Sequence, residues 1–340
     1  MNLINRYSAV KHDHVVADGL KIFYRHAGNP DNPVLLLLHG FPTSSHQFRT
    51  LIPLLVERFH VIAPDLPGFG NTEVPDERNY VYCFDNLATS IDHFLGVLGI
   101  DQFALYVFDY GAPVGLRLAI KHPSRITGLV SQNGNAYLEG FSAAWDPFKS
   151  FWQNPTEDVR KGIESSFLNL EMIKWQYHTG VDQSDLISTD SYLLDYVFLE
   201  RPGRKKIQMD LIQDYASNLK RYPEFQQFIR TTSVPILVIW GQNDPFFIPE
   251  GAFAYAADNP RAVVKLLATG HFALETHAPQ IAQQIKQVKR GDLVYLKGDL
   301  VEIKDKDLVW KSSLTPTDTG DGACELFRVQ SIHWVEKQNI

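Results

Sequence analysis

A series of short apolar runs, each too short for a helix and each followed by a stretch with helical spacing, sets the frame for this chain. Pro33 to His39, Phe59 to Ala63, Phe103 to Phe108 and Ile126 to Ser131 are the first of them. Runs this short and apolar throughout suit strands buried on both faces. Between them, His46 to Arg58, Tyr80 to Leu98 and Gly111 to His122 place apolar residues on one helical face. Strands alternating with helices predict an α/β fold: a mostly parallel sheet with helices on both faces. Leu20 to Arg25 alternates apolar with polar residues and reads as an edge strand.

The rhythm stops after Asn133 and resumes at Pro235. Strands then follow at Ile236 to Trp240 and Ala262 to Leu267, with helices near Glu250 to Ala257 and Pro279 to Lys289. The expected organisation is a core of residues 1–136 and 229–290, interrupted by a helical cap of residues 137–228. The cap segment carries 16 aromatics in 92 residues, about 17%, against 12% for the whole chain. In open parallel sheets the ligand crevice lies at the carboxyl ends of the strands. An aromatic insertion there would wall an apolar pocket. Residues 291–340 are more polar, with alternation from Leu300 to Val309 that suits a short hairpin. The pieces Gly291 to Val294 and Gly298 to Val301 within them resemble each other. This tail reads as an appendage of unknown role.

Composition excludes several classes of partner. Acidic residues outnumber basic ones by 39 to 32, a net charge of −7, which argues against a nucleic-acid footprint. The longest aliphatic run, Val34 to Leu38, is far short of the ~20 residues of a membrane span. Met1 to Ser8 lacks the apolar core of a signal peptide. The 2 cysteines, Cys83 and Cys324, form no disulfide framework, so a reducing, cytoplasmic setting is expected. There is no H-E-x-x-H metal spacing, no P-loop and no G-x-G-x-x-G after a strand. No metal and no cofactor is expected, and a homodimer stays open.

The chemistry concentrates at strand ends. In Val107-Phe108-Asp109-Tyr110-Gly111 a strand runs into a helix through one carboxylate. A sharp turn there holds Asp109 out at the sheet edge, where helix N-terminal N–H groups favour an ionised carboxylate. Asp244 follows the strand at Ile236 to Trp240, and His271 follows the next one, in the order nucleophile, acid, histidine. Each alone has a structural reading, as cap, turn or core histidine. Together, each just past a strand, they read as one site. His39-Gly40-Phe41-Pro42 ends an earlier strand, and the backbone N–H groups of Phe41 and Tyr110 are candidates for an oxyanion hole. Pro42 is a candidate for a cis peptide.

With Asp65-Leu66-Pro67-Gly68-Phe69-Gly70 added, these segments resemble the α/β-hydrolase superfamily over about residues 15 to 289. The branch they are similar to has an aspartate nucleophile, as in epoxide hydrolases and haloalkane or haloacetate dehalogenases. The resemblance implies that Asp109 attacks carbon to form an alkyl ester. His271, oriented by Asp244, then activates a water to hydrolyse it. Tyr215 stands where the epoxide hydrolases carry a lid tyrosine that protonates the leaving oxygen. Phe151, in Phe151-Trp152-Gln153, replaces their other tyrosine, with Tyr137 and Tyr177 as substitutes. The Trp after the aspartate of haloalkane dehalogenases is Tyr110 here, and the arginine pair of haloacetate dehalogenases is Tyr110 and Pro113. Trp145, Trp152 and Trp175 remain as halide donors. The expected pocket is His39, Pro42, Tyr137, Trp145, Phe151, Trp152, Trp175, Tyr177 and Phe272. The favoured activity is epoxide hydrolysis of a small or medium apolar electrophile with water. Dehalogenation of a haloalkane or haloacid comes second. A ligand-binding sensor on a hydrolase scaffold is the reading of another class.

Overall fold

The computed structural model describes residues 9–287, together with the backbone of Val294–Leu300, Ile303–Asp305, Leu308–Trp310 and Phe327–Trp334. Met1 to Ser8, Cys324 and the first three residues of Gly291 to Val294 lie outside the described residues, as does Val301. Contacts divide the chain into two units, residues 1–288 and 289–340.

In the first unit the strands are β1 (Lys11–Ala17), β2 (Leu20–Ala27), β3 (Val34–Leu38), β4 (His60–Pro64), β5 (Phe103–Phe108), β6 (Ile126–Gln132), β7 (Ile236–Gly241) and β8 (Val263–Leu267). Among the described residues they form one 8-stranded sheet in the order β1-β2-β4-β3-β5-β6-β7-β8. β1 with β2 and β2 with β4 are antiparallel, and the rest run parallel. The parallel strands are those read as uniformly apolar: β3, β5 and β7 have almost no exposed residue. Leu20 to Arg25 is not the edge. That place belongs to β1, whose Lys-His-Asp-His start is mostly exposed and carries no apolar periodicity to betray it.

Helices α1 (Ile52–Leu55), α2 (Phe84–Val97) and α3 (Gly111–Lys121) join the first strands. The helix expected over His46 to Arg58 breaks into a 3-10 turn, Ser45–Phe48, and α1, with Pro53 in the first turn of α1. α2 starts at Phe84 rather than Tyr80, where the Phe84 N–H is capped by Asp214 across space (2.8 Å). Between β6 and β7 the chain forms α4 (Asp146–Gln153), α5 (Glu157–Phe167), α6 (Leu170–His178), α7 (Thr189–Leu199) and the long α8 (Arg204–Thr231). α9 (Pro249–Asp258) and α10 (Ala273–Gln287) complete the unit. α10 begins before Pro279, and the chain absorbs the proline through a kink at His277.

In the second unit β9 (Val294–Leu300), β10 (Ile303–Asp305), β11 (Leu308–Trp310) and β12 (Phe327–Trp334) pair as two antiparallel ribbons, β10 with β11 and β9 with β12. The first ribbon falls where the alternation predicted a hairpin. Among the described residues no helix is long and apolar enough to cross a membrane.

The strand order fixes the site. β4 leaves β3 to one side and β5 joins it on the other, so the connections diverge and leave a crevice beyond the carboxyl ends of β3 and β5. Phe41 and Asp109 follow those two strands.

Candidate active site

Asp109 is the first residue past β5 and has φ +46°, a left-handed conformation that Asp tolerates better than most residues. Gly111 makes this turn feasible. A side chain there would overlap the backbone of Leu38 and His39, so α3 can start directly against β3. Gly40 serves the carboxylate in the same way: a Cβ at Gly40 would overlap Asp109. The Phe41 N–H donates to Asp109 Oδ1 at 2.7 Å, leaving Oδ2 without a hydrogen bond among the described residues. The Phe41–Pro42 peptide is cis. Burial pushes the Asp109 carboxyl up to about 6, although His271 and the N–H groups of Phe41 and Tyr110 pull it the other way. The helix terminus therefore does not keep this carboxyl in the ordinary range, because desolvation outweighs the donors.

His271 follows β8, and its Nδ1 lies 2.6 Å from Asp244 Oδ2. Both side chains are buried. Asp244 Oδ1 accepts the Phe246 N–H at 2.8 Å. Burial opposes charging the imidazole, yet Asp244, and Asp109 beside it, turn the balance and raise its pKa above the ordinary 6.5. A histidine hydrogen-bonded through Nδ1 to a carboxylate presents Nε2 to the cavity, the arrangement of a general base.

Asn133 completes this pair, and nothing in the sequence singled it out. It follows β6 with φ +45°. Its Nδ2 donates to Asp244 Oδ2 at 2.8 Å, and its Oδ1 accepts the Gly241 N–H at 2.9 Å. The available signal was its position, a polar residue just past a buried strand of the same sheet.

A cavity of about 30 Å³ joins Asp109 and His271. Its wall contains Asp109, His271, Phe41, Tyr110 and Trp145 from the expected set. Phe148, Phe167, Gln176, Ile212 and Phe246 were not foreseen. The space suits only a few water-sized groups. Two buried donors have no partner in this wall: Trp145 Nε1 and Gln176 Nε2.

Several expected pocket residues lie elsewhere. His39 is a core histidine, its Nε2 accepting the Leu66 N–H at 2.9 Å and its Nδ1 beside the Gly40 carbonyl. Tyr137 donates to Asp258 (3.1 Å) and Tyr177 to Asp195 (2.6 Å), so neither hydroxyl is free for a substrate. Trp175 is 42% exposed and packs on the outer side of Phe246. Trp152 donates its N–H to the Ile212 carbonyl (2.7 Å), which removes it as a halide donor. Phe151 is wholly buried, and it, Pro42 and Phe272 are absent from the cavity wall. Spacing along a helix says which face a residue shares, but not which partner claims its polar atom. Tyr215, expected as the catalytic acid, is also absent from the cavity wall and lies buried behind it between aromatic rings. It stacks on Trp152 (5.8 Å between centroids, 5° between planes) and meets Trp145 (4.7 Å) and Tyr110 (5.7 Å). Burial raises its phenol pKa, and the nearby Tyr222 hydroxyl and Asp109 carboxylate raise it further.

Comparison with known proteins agrees with the fold. Residues 33–278 match the family described as alpha/beta hydrolase fold. The chain is 48% identical over 287 residues to the protein named Uncharacterized hydrolase YNR064C of Saccharomyces cerevisiae, covering 84% of this chain and 97% of that one. It is 27% identical over 243 residues to the human Epoxide hydrolase 4, covering 69% of this chain and 65% of that one. The crystal structure of haloalkane dehalogenase DbeA from Bradyrhizobium elkani superposes with a TM-score of 0.68 at 23% identity, over 82% of this chain and 96% of that one.

Proposed function

The chain belongs to the α/β-hydrolase fold family and is a hydrolase, and on that premise we propose that it opens epoxides through a covalent ester on Asp109. One observation carries this reading. Asp109 Oδ1 is held on the Phe41 N–H with Oδ2 unengaged, in a cavity whose wall also holds a His271 hydrogen-bonded to Asp244.

In the first half-reaction Asp109 Oδ2 attacks a ring carbon, the carbon–oxygen bond breaks, and the leaving alkoxide takes the Tyr215 phenol proton. In the second, His271 takes a proton from water as the hydroxide adds to Asp109 Cγ. The oxyanion sits on the N–H groups of Phe41 and Tyr110, where one donor contributes ~3 kcal/mol to the barrier. Collapse releases the diol and restores the carboxylate, and the proton on His271 returns to the phenolate. The largely apolar wall, with no lysine or arginine in it, suits a small uncharged substrate. The inserted helices α4 to α8 act as the lid of this site.

Dehalogenation is the second reading. The unpartnered N–H groups of Trp145 and Gln176 favour it, since a leaving halide needs donors rather than a proton.

Single turnover in heavy-oxygen water with propylene oxide, and in parallel with 1,2-dibromoethane, tests both. Label is expected in the peptide containing Asp109, while the first diol carries an unlabelled oxygen from the enzyme. Label confined to the product would refute the ester. Turnover of the bromide alone would move the assignment to dehalogenation, and no turnover of either would favour the sensor reading.

A further inference from the structure

A second set of buried polar groups lies behind the histidine, and the reaction above does not use it. Asp195 on α7 is wholly buried, with Oδ2 accepting the Tyr177 hydroxyl at 2.6 Å and Oδ1 without a partner. Tyr177, in the last turn of α6, lies flat on Phe272, with centroids 3.9 Å apart and planes within 4°. Phe272 adjoins His271 in sequence and meets Phe108 on its core side (5.4 Å). The chain leaving α6 continues across the site. The Thr179 carbonyl presses on Gly270 so closely that no side chain would fit there, and the Gly180 carbonyl accepts Asn243 Nδ2 at 3.0 Å. Gly270 precedes His271 and Asn243 precedes Asp244. One short segment, 177–180, therefore touches both loops that carry the pair.

The other end of this brace is fixed as well. Ser191, one turn before Asp195 on α7, donates to Glu275 Oε2 (3.1 Å). Arg49 grips the same carboxylate through both terminal nitrogens (3.0 and 2.8 Å) and also reaches Ser191 Oγ (2.8 Å). Glu275 lies in the first turn of α10, just past His271. The contacts form a closed circuit from α10 through α7 and α6 back to the His271 loop. A buried carboxyl with a vacant oxygen is costly, and a hydrophobic pair would pack the same space more cheaply. Burial and the Glu275 charge push the Asp195 carboxyl up to about 7, against the pull of Tyr177, Thr43 and Arg49. Strongly shifted groups of this kind cluster at functional sites.

We infer that Asp195 and Tyr177 are positioning residues: their hydrogen bond fixes the 177–180 segment, which clamps the His271 and Asp244 loops at their working distance. The inference rests on His271 and Asp244 being the water-activating pair, but its test needs no substrate. In full-length protein carrying ¹⁵N-histidine, the His271 titration is followed by NMR and assigned by its loss in His271→Gln. Tyr177→Phe keeps the ring stack and removes only the hydroxyl. Asp195→Leu removes the acceptor, and Asp195→Asn removes the charge but keeps an acceptor.

Tyr177→Phe and Asp195→Leu are expected to lower the His271 midpoint by about one pH unit, a tenfold weaker hold by Asp244. Asp195→Asn is expected to stay close to wild type. An unchanged midpoint in Tyr177→Phe overturns the inference. So does an equal shift in Asp195→Asn and Asp195→Leu, which would show a charge effect. Failure of the ester reading would appear in the heavy-oxygen experiment and leave these midpoints unaffected.

Discussion

Replacing Asp109 by Asn should stabilise the protein while abolishing ester formation. The carboxyl is 6% exposed, and burial raises its pKa from the ordinary 3.8 to about 6. The native state thus holds this proton to higher pH than the unfolded chain does. Wild-type stability falls as pH rises from about 4 to about 6 and stays reduced above that. Over about two pH units, at ~1.4 kcal/mol each, the ionised group costs about 3 kcal/mol at pH 8. Asn is isosteric, accepts the Phe41 N–H through its own oxygen, and tolerates the φ of +46°. Guanidinium unfolding of the described catalytic unit, within the full chain, should show Asp109→Asn more stable by about 3 kcal/mol near pH 8. The gain should shrink through pH 4 and vanish near pH 3, below the carboxyl's value in both the unfolded and the folded state. A gain of the same size at both pH values, or none at either, would refute the claim that burial holds this carboxyl up.

Other perturbations follow from the same geometry. Gly40→Ala places a methyl group against Asp109 and should push the carboxylate off the Phe41 N–H, lowering ester formation ~100-fold in a mass-spectrometric labelling assay. Unchanged labelling would mean that the loop yields freely. Asn133→Ala removes the bond to Asp244 Oδ2 and should slow ester hydrolysis about tenfold while sparing ester formation, so the ester accumulates in rapid-quench samples. Equal slowing of both steps would contradict that role. Tyr215→Phe should cut epoxide opening ~100-fold and leave bromide displacement intact, since only the alkoxide needs a proton. An equal loss on both substrates would remove Tyr215 as the acid.

Much of the architecture was legible because it rests on local periodicity. Runs such as Val34–Leu38 and Phe103–Phe108 are apolar throughout because both faces of a parallel sheet are covered, and their positions fell where expected. β1 escaped notice for the opposite reason: an exposed edge strand needs no apolar face. The strand-end placement of Phe41, Asp109, Asp244 and His271 was also readable, because a parallel sheet gathers its carboxyl ends at one edge whatever the helices between do.

The partners of polar side chains were not readable, because long-range packing assigns them. Tyr137 and Tyr177 have the same chemistry as Tyr215, yet Asp258 and Asp195 claim their hydroxyls, while Tyr215 packs its ring on Trp145 and Tyr110, behind the cavity wall. Gln176 and Asn133 gained their places from folding alone. The sequence by itself determined the parallel strands of the sheet, the strand-end order of Asp109, Asp244 and His271, and the aromatic richness of the inserted helices, since these follow from short-range pattern. Tertiary structure decided which donors remain free, how far burial shifts Asp109, and what braces His271. Those depend on atoms brought together from residues as far apart as 49 and 275, and no local pattern encodes them.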